Sequence, residues 1–160
     1  MTIAPKLRQY LDIFDVDYTL VEHPPSVSAM QSATLCRIPP QQVAKAVLLD
    51  TPDEYLLAVL PSDRRVDLEE FRHEPGGKPR LADEQELAEV FYDCAVGAVP
   101  PLGVGYGIPM IIDDSLWDQP DVYFEAGDHR SLIHVDRGEF ARLTRSALHG
   151  RFSERWADME

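Results

Sequence analysis

At 160 residues the chain is one domain long, and an apolar content of 44% excludes an intrinsically disordered segment. A net charge of −13 at pH 7 excludes a protein that grips nucleic acid through a broad basic face. No apolar run approaches the roughly 20 residues of a membrane-spanning helix, and residues 1–6 carry no basic region leading into an apolar signal core, so a cytoplasmic protein is expected.

Leu7, Tyr10, Leu11 and Phe14 recur at i, i+3, i+4 and i+7, which predicts a helix over 5–14 with Pro5 in its first turn. Residues 17–22 alternate and predict a strand, ended by His23-Pro24-Pro25. Ser28 and Gln31 form an S-x-x-Q capping box that opens an Ala-rich helix stopping before Pro39-Pro40. The β-rich runs 42–50 and 55–61 predict a hairpin turning at Pro52. Asp67 and Glu70 predict a short helix to about His73, followed by a loop over 74–79. Asp83 and Glu86 start another helix, with Leu87, Val90 and Phe91 on its apolar face. Residues 95–99 read as a short strand and 101–107 as a flexible segment whose glycines lack the strand-to-helix context of a dinucleotide site. Strands follow at 108–112, 122–126 and 131–135. Asp136 and Glu139 cap a last helix with Phe140, Leu143 and Ala147 inward, and Phe152 and Trp156 suggest one further turn. Helices and strands intersperse without regular βαβ units. The expectation is a single α+β domain over 1–150, a mixed β-sheet with surrounding helices, and a C-terminal tail over 151–160.

Within the hairpin, Lys45 stands among Val43, Ala44, Ala46, Val47 and Leu48. Strand alternation puts it on one face with Val43, Val47 and Leu49. A mid-strand ammonium among apolar neighbours costs free energy unless it is paired or opens onto a polar pocket. The alternative is a lysine that snorkels to the sheet rim.

Charge is uneven along the chain. Residues 81–129 hold eleven acidic residues and no Lys or Arg, whereas six arginines fall between Arg130 and Arg155. The five histidines lack the spacing of a zinc hydrolase, and Asp113, Asp114, Asp118 and Asp121 lack the glycine of a calcium loop, so no metal and no cofactor are expected. No G-x-S-x-G elbow is present. Cys36 and Cys94 read as free thiols in apolar company rather than as a disulfide, a metal pair or a nucleophile.

The order of the strand Val43-Ala44-Lys45-Ala46, the run Leu60-Pro61-Ser62-Asp63-Arg64-Arg65, the loop Gly97-Ala98-Val99-Pro100-Pro101 and Phe124-Glu125-Ala126-Gly127-Asp128-His129 resembles the YbaK-type family. These are free-standing relatives of the prolyl-tRNA synthetase editing domain. The resemblance covers roughly residues 1–150. It implies a proofreading hydrolase of translation that removes a small amino acid from mischarged aminoacyl-tRNA, with tRNA-Pro the family's commonest partner. The expected partners are the aminoacyl-tRNA acceptor end and prolyl-tRNA synthetase. It further implies Lys45 and Gly97 as catalytic residues, with Ala98, Val99, Pro100, Pro101, Gly127, Asp128 and His129 binding substrate. An aminoacyl ester is already activated, so orientation and oxyanion stabilisation suffice without a triad or a metal. Water and a substrate hydroxyl both remain open as nucleophile. A non-catalytic module that binds a tRNA end or synthetase, and a small-ligand-binding protein, are the alternatives. The amino acid removed and the oligomeric state are not legible in the sequence.

Overall fold

A computed structural model describes residues 3–71, 78–95 and 97–155 of the chain. Helical spacing brings Leu7, Tyr10 and Leu11 onto one stripe, and α1 (Pro5–Ile13) buries all three. Tyr10 carries a hydroxyl inside, which donates to Leu143 O at 2.8 Å. After α1 come β1 (Thr19–Glu22), α2 (Ala29–Cys36), β2 (Val43–Asp50), β3 (Tyr55–Pro61), β4 (Arg64–Val66) and β5 (Arg80–Leu81). The second half holds α3 (Glu84–Val90), β6 (Met110–Asp113), β7 (Asp121–Glu125), β8 (Ser131–Asp136), α4 (Arg137–Leu143), β9 (Leu148–Gly150) and β10 (Ser153–Arg155).

Among the described residues, eight strands form one mixed sheet in the order β1-β8-β7-β2-β3-β6-β9, with β5 also on β2. The pairs β2–β7, β3–β6 and β6–β9 are parallel. This is the expected α+β domain. In the hairpin, Ala44 pairs with Pro61 and Asp50 with Tyr55. Thr51 Oγ1 accepts the Glu54 N–H at 3.0 Å and closes the turn. Alternation sorts β2 as the sequence predicts. Ala44 and Leu48 enter the main core, while Leu49 and Val47 join a second cluster with Leu60, Phe71 and Phe152.

One edge of β2 is divided, and this positions the site. β7 pairs only with Val43 and Ala44, through Tyr123 and Phe124. β5 pairs only with Leu49 and Asp50. Between those contacts the neighbouring strands part, and Lys45 is the first β2 residue beyond β7.

Several expectations change. Of the expected strand over 95–99, residues 95 and 97–99 are not in a strand: the Ala98 N–H donates to Ala95 O at 2.9 Å, and Gly97 turns the backbone with φ of +79°. Val96 lies outside the described residues. Residues 101–107 are packed rather than loose, with Leu102 and Gly103 buried and a 3-10 turn over Gly103–Tyr106. Asp67 starts only the 3-10 turn Leu68–Phe71, and His73 and residues 74–77 lie outside the described part. α4 ends at Leu143, although Ala147 still packs on the core. Around Phe152 the expected turn is replaced by β10, which pairs with β4 and lets Phe152 pack on Phe71. Trp156 lies outside the described residues.

Candidate active site

Four segments converge where β2 and β7 part, enclosing a cavity of about 220 Å³. β2 contributes Lys45, and the segment leading into α2 contributes Ser28. The loop after α3 brings Gly97 and Val99, and the end of β7 and the turn after it bring Glu125 and His129.

Each segment is fixed locally. Ser28 caps α2 by accepting the Gln31 N–H at 3.1 Å. Gln31 returns its side chain to the Val27 N–H (2.7 Å) instead of the cap residue's own N–H, so the predicted box closes one residue early. Ser26 and Ser32 hydroxyls meet at 2.6 Å beneath it. The Ser26 N–H donates to His129 O (3.0 Å) and the His23 N–H to Arg130 O (2.9 Å), tying this segment to the β7–β8 turn.

That turn is tight. Gly127 has φ of +117° and His129 φ of +62°, both left-handed. A Cβ on Gly127 would come within 2.8 Å of Ala4 Cβ, so glycine is required there for space as well as for φ. Glu125 Oε2 accepts the N–H groups of Gly127 (2.9 Å) and His129 (3.2 Å), while Oε1 stands 3.7 Å from His129 Nδ1. Asp128 turns its carboxylate to the Arg130 N–H (2.9 Å) and the Ser131 hydroxyl (3.2 Å).

Lys45 is half-buried. Burial pulls its ammonium below the ordinary lysine value, and the nearby Asp63 carboxylate pushes it partly back. Asp63 lies in the turn after β3, held beside the start of β2 by the Ser62 N–H on Val43 O (2.8 Å) and the Ser62 hydroxyl on Pro40 O (2.6 Å). Asp63 Oδ1 is buried and makes no hydrogen bond among the described residues.

The loop over 97–101 divides cleanly. Ala98, Pro100 and Pro101 are buried away from the cavity, and Gly97 and Val99 line it. Proline has no N–H, and the Ala98 N–H is taken by Ala95 O, so Gly97 and Val99 are the loop's candidates for holding a developing oxyanion. Gly97 faces the His129 ring: a Cβ there would lie 3.8 Å from Nε2. Val27, Gly97 and His129 also border an adjoining cavity of about 230 Å³ that reaches Glu84 and Leu87. His129 is thus a wall of both spaces.

Residues 23–143 match the family model of the aminoacyl-tRNA editing domain. The chain belongs to this family. The matched span contains Lys45, Gly97, Glu125 and His129. Comparison with curated proteins finds no match. Among solved structures, this editing domain is similar to one described as a candidate trans-editing enzyme for prolyl tRNA synthetase. That likeness has 26% identity and a TM-score of 0.80, covering 94% of this chain and 96% of the other. A scaffold from computational epitope grafting is 24% identical with a TM-score of 0.82, covering 94% of this chain and 97% of its own. A protein described only as hypothetical is 21% identical with a TM-score of 0.81, covering 93% and 99%. The last two likenesses bear on fold alone.

Of the sequence-predicted site residues, the cavity brings together Lys45, Gly97, Val99 and His129; Ala98, Pro100, Pro101, Gly127 and Asp128 stand behind it as backbone supports. Sequence reasoning missed Glu125, Asp63 and Ser32 as neighbours of the site. Glu125 carried one signal, a carboxylate two residues before a glycine turn, where it can accept turn N–H groups. Burial above all pushes the Cys94 thiol up to about 12, which disfavours the thiolate that a nucleophile needs. Cys36 and Cys94 are both free thiols. Among the described residues no group of three or more His, Cys, Asp or Glu side chains could hold a metal ion, and no helix is long and apolar enough to cross a membrane.

Proposed function

We propose that this editing domain hydrolyses mischarged aminoacyl-tRNA in trans in the cytoplasm, removing a small amino acid from tRNA-Pro. The observation that carries the reading is the convergence of Lys45 with Gly97 and Val99 of the loop on one small cavity. Ligand sites for drug-sized molecules run to about 300–1,000 Å³. A space of about 220 Å³ suits an aminoacyl group with the ester at its mouth better than a whole nucleotide.

In this reading Lys45 orients the acceptor end through charge-assisted hydrogen bonds, and its cost of burial is offset when substrate oxygen arrives. Gly97 and Val99 hold the carbonyl oxygen as negative charge grows on it. A nucleophile oxygen bonds to the carbonyl carbon as the acyl–oxygen bond breaks; a ribose hydroxyl in that role takes the acyl group onto its own oxygen, and water must then attack the new ester to release it. When water attacks, the proton it loses ends on the released ribose hydroxyl, giving free amino acid and intact tRNA. His129 bounds the amino-acid side chain.

Charge supports recognition confined to the acceptor end. Arg142 is engaged within the fold, donating to Phe14 O (2.6 Å), Asp15 O (3.3 Å) and Glu139, so it is not a free phosphate contact. Arg130 and Arg145 are exposed. With about two to four phosphate contacts, the slope of log kcat/KM against log salt falls between about −1 and −4.

The test is multiple-turnover release of labelled amino acid from a panel of mischarged tRNAs. Catalytic release from tRNA-Pro bearing a small amino acid is the expected result. Binding without turnover would overturn the enzyme reading in favour of a tRNA-end binding module.

A further inference from the structure

We propose that Glu125 forms an α-ammonium subsite, so that the cavity accepts esters of free amino acids and rejects acyl groups whose amine is replaced or blocked. The proposal rests on the editing reading and specifies which acyl class that site takes.

The parallel register sets Val43 against Tyr123 and Ala44 against Phe124. One step further along the two strands stand Lys45 and Glu125, where the strands part and the cavity opens. Strand alternation carries both side chains to the same face of the sheet. The cavity therefore holds a cation on one strand and an anion on the other. The two oxygens of Glu125 do different jobs. Oε2 is engaged by the N–H groups of Gly127 and His129 at 2.9 and 3.2 Å. Oε1 stands 3.7 Å from His129 Nδ1, beyond hydrogen-bond reach. An ionised carboxylate has about four acceptor positions, and two turn N–H groups satisfy only part of that capacity.

Val43, Val99 and Leu132 also line the space, and the acceptor capacity that the two turn N–H groups leave on Glu125 favours a cationic donor. The substrate brings one. In an aminoacyl ester the ammonium sits on the carbon next to the scissile carbonyl, within one side chain's reach of the oxyanion position. Lys45 repels that ammonium and favours the ester and ribose oxygens. The pair of opposite charges thus fixes which way round the acyl group enters, with its carbonyl toward Lys45, Gly97 and Val99 and its nitrogen toward Glu125. A charge-assisted hydrogen bond of this kind corresponds to about a tenfold to hundredfold preference.

The experiment compares single-turnover hydrolysis of alanyl-tRNA-Pro with that of lactyl-tRNA-Pro, in which a hydroxyl replaces the ammonium. Each rate is divided by the spontaneous rate of the same ester. The unmodified protein is expected to favour the alanyl ester by about tenfold to hundredfold on that scale. Glu125→Gln keeps a carbonyl oxygen for the two turn N–H groups and puts an amide NH₂ toward the cavity. It is expected to lose about the same factor on the alanyl ester, to leave the lactyl rate within about twofold, and to melt at the parent temperature. Equal normalised rates on both esters in the unmodified protein would overturn the subsite while leaving the editing reading intact. Equal slowing of both esters by Glu125→Gln would reduce Glu125 to a turn cap and also overturn it. The unmodified protein's ratio decides the matter even where the variant folds poorly. Absence of hydrolysis on every aminoacyl-tRNA would instead overturn the editing reading itself, and the subsite with it.

Discussion

At the Asp50 end of β2, Arg80 meets Asp50 and Glu86, and Glu86 also accepts the Tyr55 hydroxyl at 2.7 Å and the Asp83 N–H at 3.1 Å. These hydrogen bonds, the Tyr55 one foremost, hold the Glu86 carboxyl down to about 2, and the same bond pushes Tyr55 up to about 12. At the opposite end of the strand, Lys45 is held below its ordinary value by burial, and Asp63 keeps a buried oxygen without a hydrogen bond among the described residues. One end of the strand satisfies its charges near the surface and closes the hairpin around them. The other end sets its charged groups beside a cavity. The contrast separates a network paired near the surface from one that borders a cavity, although the residue types are much the same.

The sharpest way to break that contrast is at Lys45. Lys45→Ala is expected to slow single-turnover deacylation by about 10²–10³-fold, the scale of losing one charged transition-state donor, with little change in melting temperature. Near-normal rates in a folded variant would remove Lys45 from the chemistry. His129→Ala, which opens the wall shared by the two cavities, is expected to extend the range of amino acids removed. The rate on larger acyl groups should rise by about tenfold for an added methylene, with the best substrate slowed only modestly. Alanine replaces a residue already at positive φ, so the change adds no new backbone strain. Loss of activity on every ester would assign His129 a direct catalytic role instead.

A finer test reads Lys45 by ¹³C NMR at its ε-carbon. Burial favours the neutral amine, whereas the Asp63 carboxylate favours the ammonium. Asp63→Asn should therefore move the Lys45 midpoint further down, with Glu125 and His129, the other ionisable groups on the cavity, left in place. An upward or absent shift would separate Asp63 from Lys45. Because the folded value lies below the unfolded one, the lysine opposes folding at neutral pH, and this opposition relaxes as pH rises toward the unfolded value of about 10.4.

The smallest effect is expected at the paired end. Glu86 lies lower in the folded chain than its unfolded value of about 4.3, so its contribution is present above that pH and lost as pH falls through about 2. Glu86→Gln should lower the melting temperature slightly at pH 7, the effect being small because the pair is screened by solvent. The gap from the parent should close on acidification through that window, and deacylation should be unchanged. A variant that loses activity without losing stability would mean that the two ends of β2 are coupled.

Much of the fold was legible because its elements carry long signals. The helical stripe of α1, the alternation of β2 and β3 and the acidic caps of α3 and α4 each span enough residues for periodicity or capping chemistry to declare itself. β4, β5, β9 and β10 are two or three residues long and have no such signal, since each exists only through its partner strand. The site divides the same way. Lys45 was visible as a charge out of place in an apolar strand, and Gly97 and His129 through the order of motifs. Glu125 looked like an ordinary strand end, because its significance depends on the parallel register with a strand about 80 residues earlier. Asp63 was hidden for the same reason, in a turn whose neighbour is fixed by hairpin pairing.

The divided edge of β2 has a consequence for how such a domain can diversify. Its cavity exists because two strands move apart, and no large side chain had to be lost to make room. Val27, Val99 and His129 stand on loops and turns around that opening, outside the paired segments of the sheet. Each can change size or polarity without altering the register of any strand. Lys45 belongs to the sheet and these three walls belong to its connections, so single substitutions on the connections reshape the cavity while the paired strands stay as they are.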